Sequence, residues 1–147
     1  MKKIILALSL IVTVATTSAF ANPVEKVNPK AELLFNKQFA GAENVKWSTI
    51  NDGVLKVSFT WGGARAEAFF DENAELIGTE RNIFYNQVPL NVMRSLNTRF
   101  KDPIVLAVSE ISVNGSTTYH ISLEENNKKY KAVIGSLGDM SVTKLKK

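Results

Sequence analysis

His120 is the only histidine in the chain, and Ser122 follows it two residues later, so a strand would place a base and a hydroxyl nucleophile on one face. Hydrolysis through such a pair needs an acid to orient the imidazole and an oxyanion site opposite the hydroxyl. The surrounding sequence supplies neither, and the expectation is an exposed imidazole without catalytic work. Metal chemistry fares no better, with one histidine and no cysteine to act as ligands. Asp71-Glu72-Asn73-Ala74-Glu75 resembles the opening of a calcium loop. Its sixth position is Leu76 where glycine is needed, and its twelfth is Asn82 where a bidentate glutamate belongs. Glu124 and Glu125 are adjacent at a strand end, where solvated acids are the rule, rather than facing each other across a scissile bond. Asn114-Gly115-Ser116 matches a glycosylation sequon but reads first as a hairpin turn. There is no glycine loop to cradle a phosphate. The residues point away from an enzyme and imply neither cofactor nor metal.

The elements that carry these residues are marked by turn chemistry. Asn28-Pro29 predicts a helix start, with Leu34, Phe35 and Phe39 at helical spacing and Gly41 beyond them. Strands follow over 44–50, 54–61, 64–70 and 75–79, separated by Asn51-Asp52-Gly53, Gly62-Gly63 and 71–74. Such connections suit antiparallel hairpins because their residues tolerate positive φ. The order then recurs: Pro89 opens a helix with Val92, Met93, Leu96 and Phe100 on one side, and strands follow over 104–113, 116–124, 128–134 and 139–145. Offsetting the strands by 64 residues lays Leu55, Val57 and Phe59 on Tyr119, Ile121 and Leu123, and an offset of 61 lays Phe35 on Leu96. The predicted class is α+β, a tandem duplication of one helix plus a four-stranded antiparallel meander, with repeats over about 28–83 and 87–145.

Alternation along these strands selects the candidate binding residues. Leu55, Val57, Phe59 and Trp61 point toward the helix, leaving Lys56 on the open face; Ala66, Ala68 and Phe70 point inward, leaving Arg65, Glu67 and Phe69 outward. In the second half His120, Lys129 and Lys131 take the open positions. Phe69 is expected to present an aromatic ring to a partner. Trp61, beside Gly62-Gly63 at a hairpin tip, is expected to be partly uncovered. Tyr85, between the halves, anchors a partner or seals the seam.

The start of the chain predicts export. Lys2 and Lys3 precede an apolar run from Ile4 to Val14, and Ala19-Phe20-Ala21 is a small-x-small cleavage pattern. The run is too short to span a bilayer, so residues 1–21 read as a signal peptide and 22–147 as one domain, periplasmic or secreted, without stable membrane insertion. With no cysteine, packing alone must hold that domain. The formal charge of +4 falls to +2 once Lys2 and Lys3 are removed, too mild for nucleic acid.

Phe39-Ala40-Gly41-Ala42-Glu43-Asn44-Val45-Lys46-Trp47, Lys56-Val57-Ser58-Phe59, Ala66-Glu67-Ala68-Phe69-Phe70-Asp71 and Val88-Pro89 together resemble the PepSY-like family of β-lactamase-inhibitor-like exported proteins of Bacteroidetes. The resemblance runs from about Lys30 to Leu145 and implies a tandem helix-plus-meander fold with no catalytic residues. Ala74 departs from the family's usual glycine. Two functions follow as expectations. One is a non-catalytic, inhibitor-like module binding another exported or envelope protein through its open sheet faces. The other is a small-molecule or envelope-component binder with a pocket between the repeats.

Overall fold

The computed structural model describes residues 22–23, 26–50 and 53–146, so the segment expected to be a signal peptide, 1–21, lies outside the described residues. Among the described residues the fold is α+β, with two ten-residue helices and antiparallel strands. It divides into two compact units: the described residues up to Trp61 with Glu67–Ile77, and Gly62–Ala66 with Gly78 onward.

The first unit begins with the two-residue strand β1 (Asn22–Pro23) and helix α1 (Pro29–Gln38). Asn28 caps α1 as its type predicts, accepting the Lys30 N–H at 2.9 Å, and Pro29 takes the first turn, where no amide is missed. Strands β2 (Glu43–Thr49), β3 (Leu55–Trp61) and β4 (Ala64–Phe70) follow. Helix α1 holds Phe35 in a run of rings: Phe35 meets Trp47 edge-on at 5.4 Å and Phe59 at 4.9 Å, and Trp47 continues to Phe70 at 5.8 Å. Ala68 is fully buried on the same side as Phe70, and so small a side chain there leaves room for these rings. Each buried aromatic of this size contributes about 1.5–3 kcal/mol by leaving water.

Strand β5 (Leu76–Asn82), which enters the second unit at Gly78, leads through a 3₁₀ turn (Tyr85–Gln87) to helix α2 (Leu90–Arg99), then β6 (Ile104–Val113), β7 (Ser116–Glu125), β8 (Lys128–Gly135) and β9 (Met140–Lys144). Val92, Leu96 and Phe100 close over Tyr119, Ile121, Leu123, Ala132 and Ile134 in one core. Asn114-Gly115 and Asn126-Asn127 all have positive φ, between 49° and 79°, which is what two-residue hairpin turns between twisted strands demand.

A matching turn ends the meander in both units. In the first, Asp71 N–H donates to Glu75 O at 3.0 Å and Ala74 N–H to Asp71 O at 2.9 Å; in the second, Gly135 N–H donates to Asp139 O at 2.8 Å and Gly138 N–H to Gly135 O at 2.9 Å. Ala74 and Gly138 both sit at positive φ, 61° and 94°. Each helix is tied to that turn. Lys30 Nζ donates to Asn73 O at 2.9 Å, while Asn91 Nδ2 donates to Ser136 O and Ser95 Oγ to Gly138 O at 2.8 Å.

Three features depart from expectation. The fourth strand runs on to Asn82 rather than stopping at Thr79, because Glu80, Arg81 and Asn82 pair with Ile111, Glu110 and Ser109 of β6. Pro89 stands just outside α2 as its N-cap. Strand β1, paired with Ser48 and Thr49, carries no periodic signal of its own.

Candidate functional site

The face of the first unit opposite α1 is built by the polar positions of β3 and β4. Lys56 Nζ lies 3.0 Å from Glu67 Oε2, and Ser58 Oγ donates to Glu67 Oε1 at 3.2 Å. Both ions are largely covered, their side chains 23% and 13% exposed. The ion pair and the Ser58 hydroxyl make this a hydrogen-bonded patch in which the two charges offset each other.

Phe69 is not part of that accessible surface, which corrects the expectation of an outward aromatic. It is 2% exposed and forms a small second core with Val54 and Ile77, with Ile50 packed against them. Alternation assigned the face correctly, but apolar residues at the β2–β3 connection and on β5 cover the ring. Trp61 is 40% exposed but belongs to the helix-covered side, where it meets Phe39 edge-on at 5.6 Å and donates its indole N–H to Ala40 O at 3.2 Å. Trp61 and Phe69 therefore do not share a patch.

In the second unit, register places Ser109, His120 and Val133 in one row and Ser122, Lys131 and Thr143 in the next, on the face opposite the core. Burial pushes the His120 imidazole down to about 4, and the neighbouring Lys131 ammonium pushes the same way. His120 is thus half-buried and neutral near pH 7, rather than the exposed imidazole that the sequence suggests. Burial also lowers Lys131, opposed by Glu80. Lys129 is exposed at the strand end opposite Glu124, and Arg65 is exposed on β4. Lys56 with Glu67, and His120 with Lys131, are the candidate residues brought together within a unit.

The sequence missed an ion pair on the core side of the second unit. Arg81 Nε donates to Glu110 Oε1 at 2.7 Å, and that contact holds the guanidinium above its ordinary value. A β5 continued to Asn82 would have exposed the pairing through register.

The acidic residues singled out for chemistry are engaged in turns and loops instead. Asp71 Oδ1 accepts the Asn73 and Glu75 amides at 3.0 and 2.8 Å, a side-chain turn rather than a cation loop. Glu125 Oε1 accepts the Lys101 amide at 2.8 Å. No group of three histidines or acids that could hold a metal occurs among the described residues. Two open clefts, about 520 and 360 Å³, lie at Lys26, Asn28, Asp71 and Glu72 and at Arg99, Asp102 and Glu125. Tyr85 lines neither; its hydroxyl is buried without a partner among the described residues, and burial raises its pKa.

The chain has the fold of BLIP-like proteins. A BLIP-like protein of Bacteroides fragilis superposes with a TM-score of 0.71 at 18% identity, covering 84% of this chain and 90% of that one. A DUF2874 family protein of Bacteroides uniformis gives 0.70 at 14% identity, covering 81% and 90%. A protein of Bacteroides eggerthii, provisionally described as periplasmic, gives 0.71 at 17% identity, covering 81% and 89%. These neighbours agree with the inhibitor-like Bacteroidetes family that the sequence resembles; at such identities the likeness is one of fold. No protein-family model matches the chain, and no curated protein matches it by sequence. No helix among the described residues is long and apolar enough to cross a membrane.

Proposed function

We propose that the chain is an exported, non-catalytic binding module that grips another exported or envelope protein through the sheet faces its helices leave uncovered. Inhibition of that partner is the mode suggested by likeness to a BLIP-like protein. One observation carries the reading: each unit packs its helix on one side only, while the other side offers polar side chains beyond the Phe69–Val54–Ile77 cluster, Lys56–Ser58–Glu67 in one unit and His120–Lys131 in the other. Arg65 and Lys129 extend those surfaces as exposed cations that would steer association more than they hold the complex. A periplasmic or secreted location rests on the signal pattern of residues 1–21, supported by the Bacteroides eggerthii neighbour.

The test is capture of a partner from the native envelope, followed by charge reversal on the purified pair. Lys56→Glu combined with Lys131→Glu should weaken binding at least tenfold, while Arg94→Glu on α2 should leave it unchanged. The opposite pattern would move the site to the helical side. Intact mass of the exported protein should begin at Asn22.

We also read the two helix-plus-meander repeats, about 28–83 and 87–145, as copies of one ancestral unit. The terminal turns support this, since the 64-residue offset maps Asp71, Ala74 and Glu75 onto Gly135, Gly138 and Asp139 with the same two hydrogen bonds.

A further inference from the structure

Trp61 is held in a way that core packing alone does not require. Its ring is fixed twice, by the edge contact with Phe39 and by donation of its indole N–H to Ala40 O at 3.2 Å, yet the residue is 40% exposed. It ends a continuous file of rings, with Phe35 reaching Phe59 at 4.9 Å, Phe59 reaching Phe39 at 4.9 Å, and Phe39 reaching Trp61. An indole anchored this firmly loses little freedom when something stacks on it.

The chain beside the ring is bare. Ala40, Gly41 and Ala42 form the turn that supplies the carbonyl, and Ala42 N–H donates to Phe39 O at 3.0 Å. Gly41 has φ +81°, and a Cβ built there would meet nothing within 4 Å. The two residues after Trp61 in the sequence are also glycines. The main chain of the turn is therefore open to a ligand, with only methyl groups and hydrogens in the way.

We propose that Trp61 is a stacking platform for a neutral sugar ring, with the main chain of Gly41 meeting the sugar's hydroxyls, since Ala40 O and Ala42 N–H already have partners. The site is separate from the sheet-face partner surface and does not depend on it. Three observations select this ligand class. The indole N–H is already satisfied, so the side chain offers ring surface rather than a donor. The nearest charged residues in the chain, Glu43 and Arg65, sit on the other side of the sheet from the ring, since Glu43 pairs with Thr60 and Arg65 alternates with Ala64 and Ala66, which suits an uncharged ligand. Exposed main-chain groups need both donors and acceptors in return, which sugar hydroxyls supply and a proline ring does not.

The test uses ¹H–¹⁵N spectra of the intact processed protein titrated with chitotetraose, cellotetraose and maltotetraose, and in parallel with a pentaproline peptide. At least one sugar should shift the Trp61 indole and Gly41 amide signals saturably, with Kd of about 0.1–5 mM. Trp61→Ala should weaken that binding at least tenfold while the Trp47 indole signal keeps its place. Trp61→Phe, which preserves a ring beside Phe39, guards against loss of fold and should retain measurable binding. Absence of any shift with all three sugars up to about 20 mM, binding of pentaproline instead, or sugar binding that survives in Trp61→Ala would each overturn the proposal.

Discussion

Phe69 packs in one buried cluster with Val54, on the sheet face that strand alternation alone would leave to water. The two residues belong to β4 and to the connection before β3, and with Ile77 they form a second core opposite the helix. Phe69→Ala should therefore behave as a core deletion, costing about 3–5 kcal/mol. Thermal unfolding would show it as a large fall in Tm. A variant melting like the parent would mean that the ring contributes little to the fold.

The half-buried imidazole of His120 makes stability depend on pH. Its folded pKa of about 4 lies below the ordinary 6.5, so the unfolded chain takes up the proton first as the medium is acidified. The stabilisation is complete above about pH 6.5, declines as pH falls toward 4, and falls no further below that. Because the ring retains solvent contact, the loss is about 1–2 kcal/mol. Denaturant midpoints at pH 7 and 4.5 should separate more for the parent than for His120→Asn. An equal fall in both would assign the acid sensitivity to other groups.

The two terminal turns should respond differently to exchange of alanine and glycine. Gly138→Ala places a methyl 2.8 Å from Ser95 Oγ at φ +94°, and is expected to cost about 1–2 kcal/mol. Ala74→Gly removes the left-handed strain but also loses a fully buried methyl and frees the unfolded chain. Those effects nearly cancel, and the net change should stay within about 1 kcal/mol. Paired urea titrations check both signs.

Asn28 is the side-chain cap of α1, whereas Pro89 gives α2 none. Asn28→Ala should lower stability by about 1 kcal/mol, measurable as a shift of the urea midpoint at unchanged slope.

Local chemistry made much of this architecture readable. Asn114-Gly115 and Asn126-Asn127 announce hairpins because few other residues accept their backbone geometry, and Asn28-Pro29 announces a helix for equally local reasons. Face assignment followed from alternation, so Lys56, Glu67, His120 and Lys131 were placed on the correct side. What covers a face depends on remote chain, and no period reveals it. Phe69 was misjudged because its lid comes from Val54, Ile50 and Ile77. The polar run Glu80-Arg81-Asn82 hid the end of β5, since its strand character comes from pairing with β6 rather than from its own pattern. Trp61 is legible as partly uncovered beside Gly62-Gly63, but its anchorage to Ala40 spans 21 residues, and no local pattern announces it.

The ties between each helix and its terminal turn join residues far apart in the chain, 43 positions for Lys30 with Asn73, and 43 and 45 for the bonds from Ser95 and Asn91. Contacts of such span form only after the intervening hairpins have closed, because the entropy of closing the loop must be met first. Each helix, though it precedes the strands it packs on, should acquire protection against amide exchange at the same time as the turn to which it is tied. A ribosome releasing this chain would then hold α1 unsettled until the segment around Asn73 had emerged, so the helix settles only together with the strands and turn that follow it.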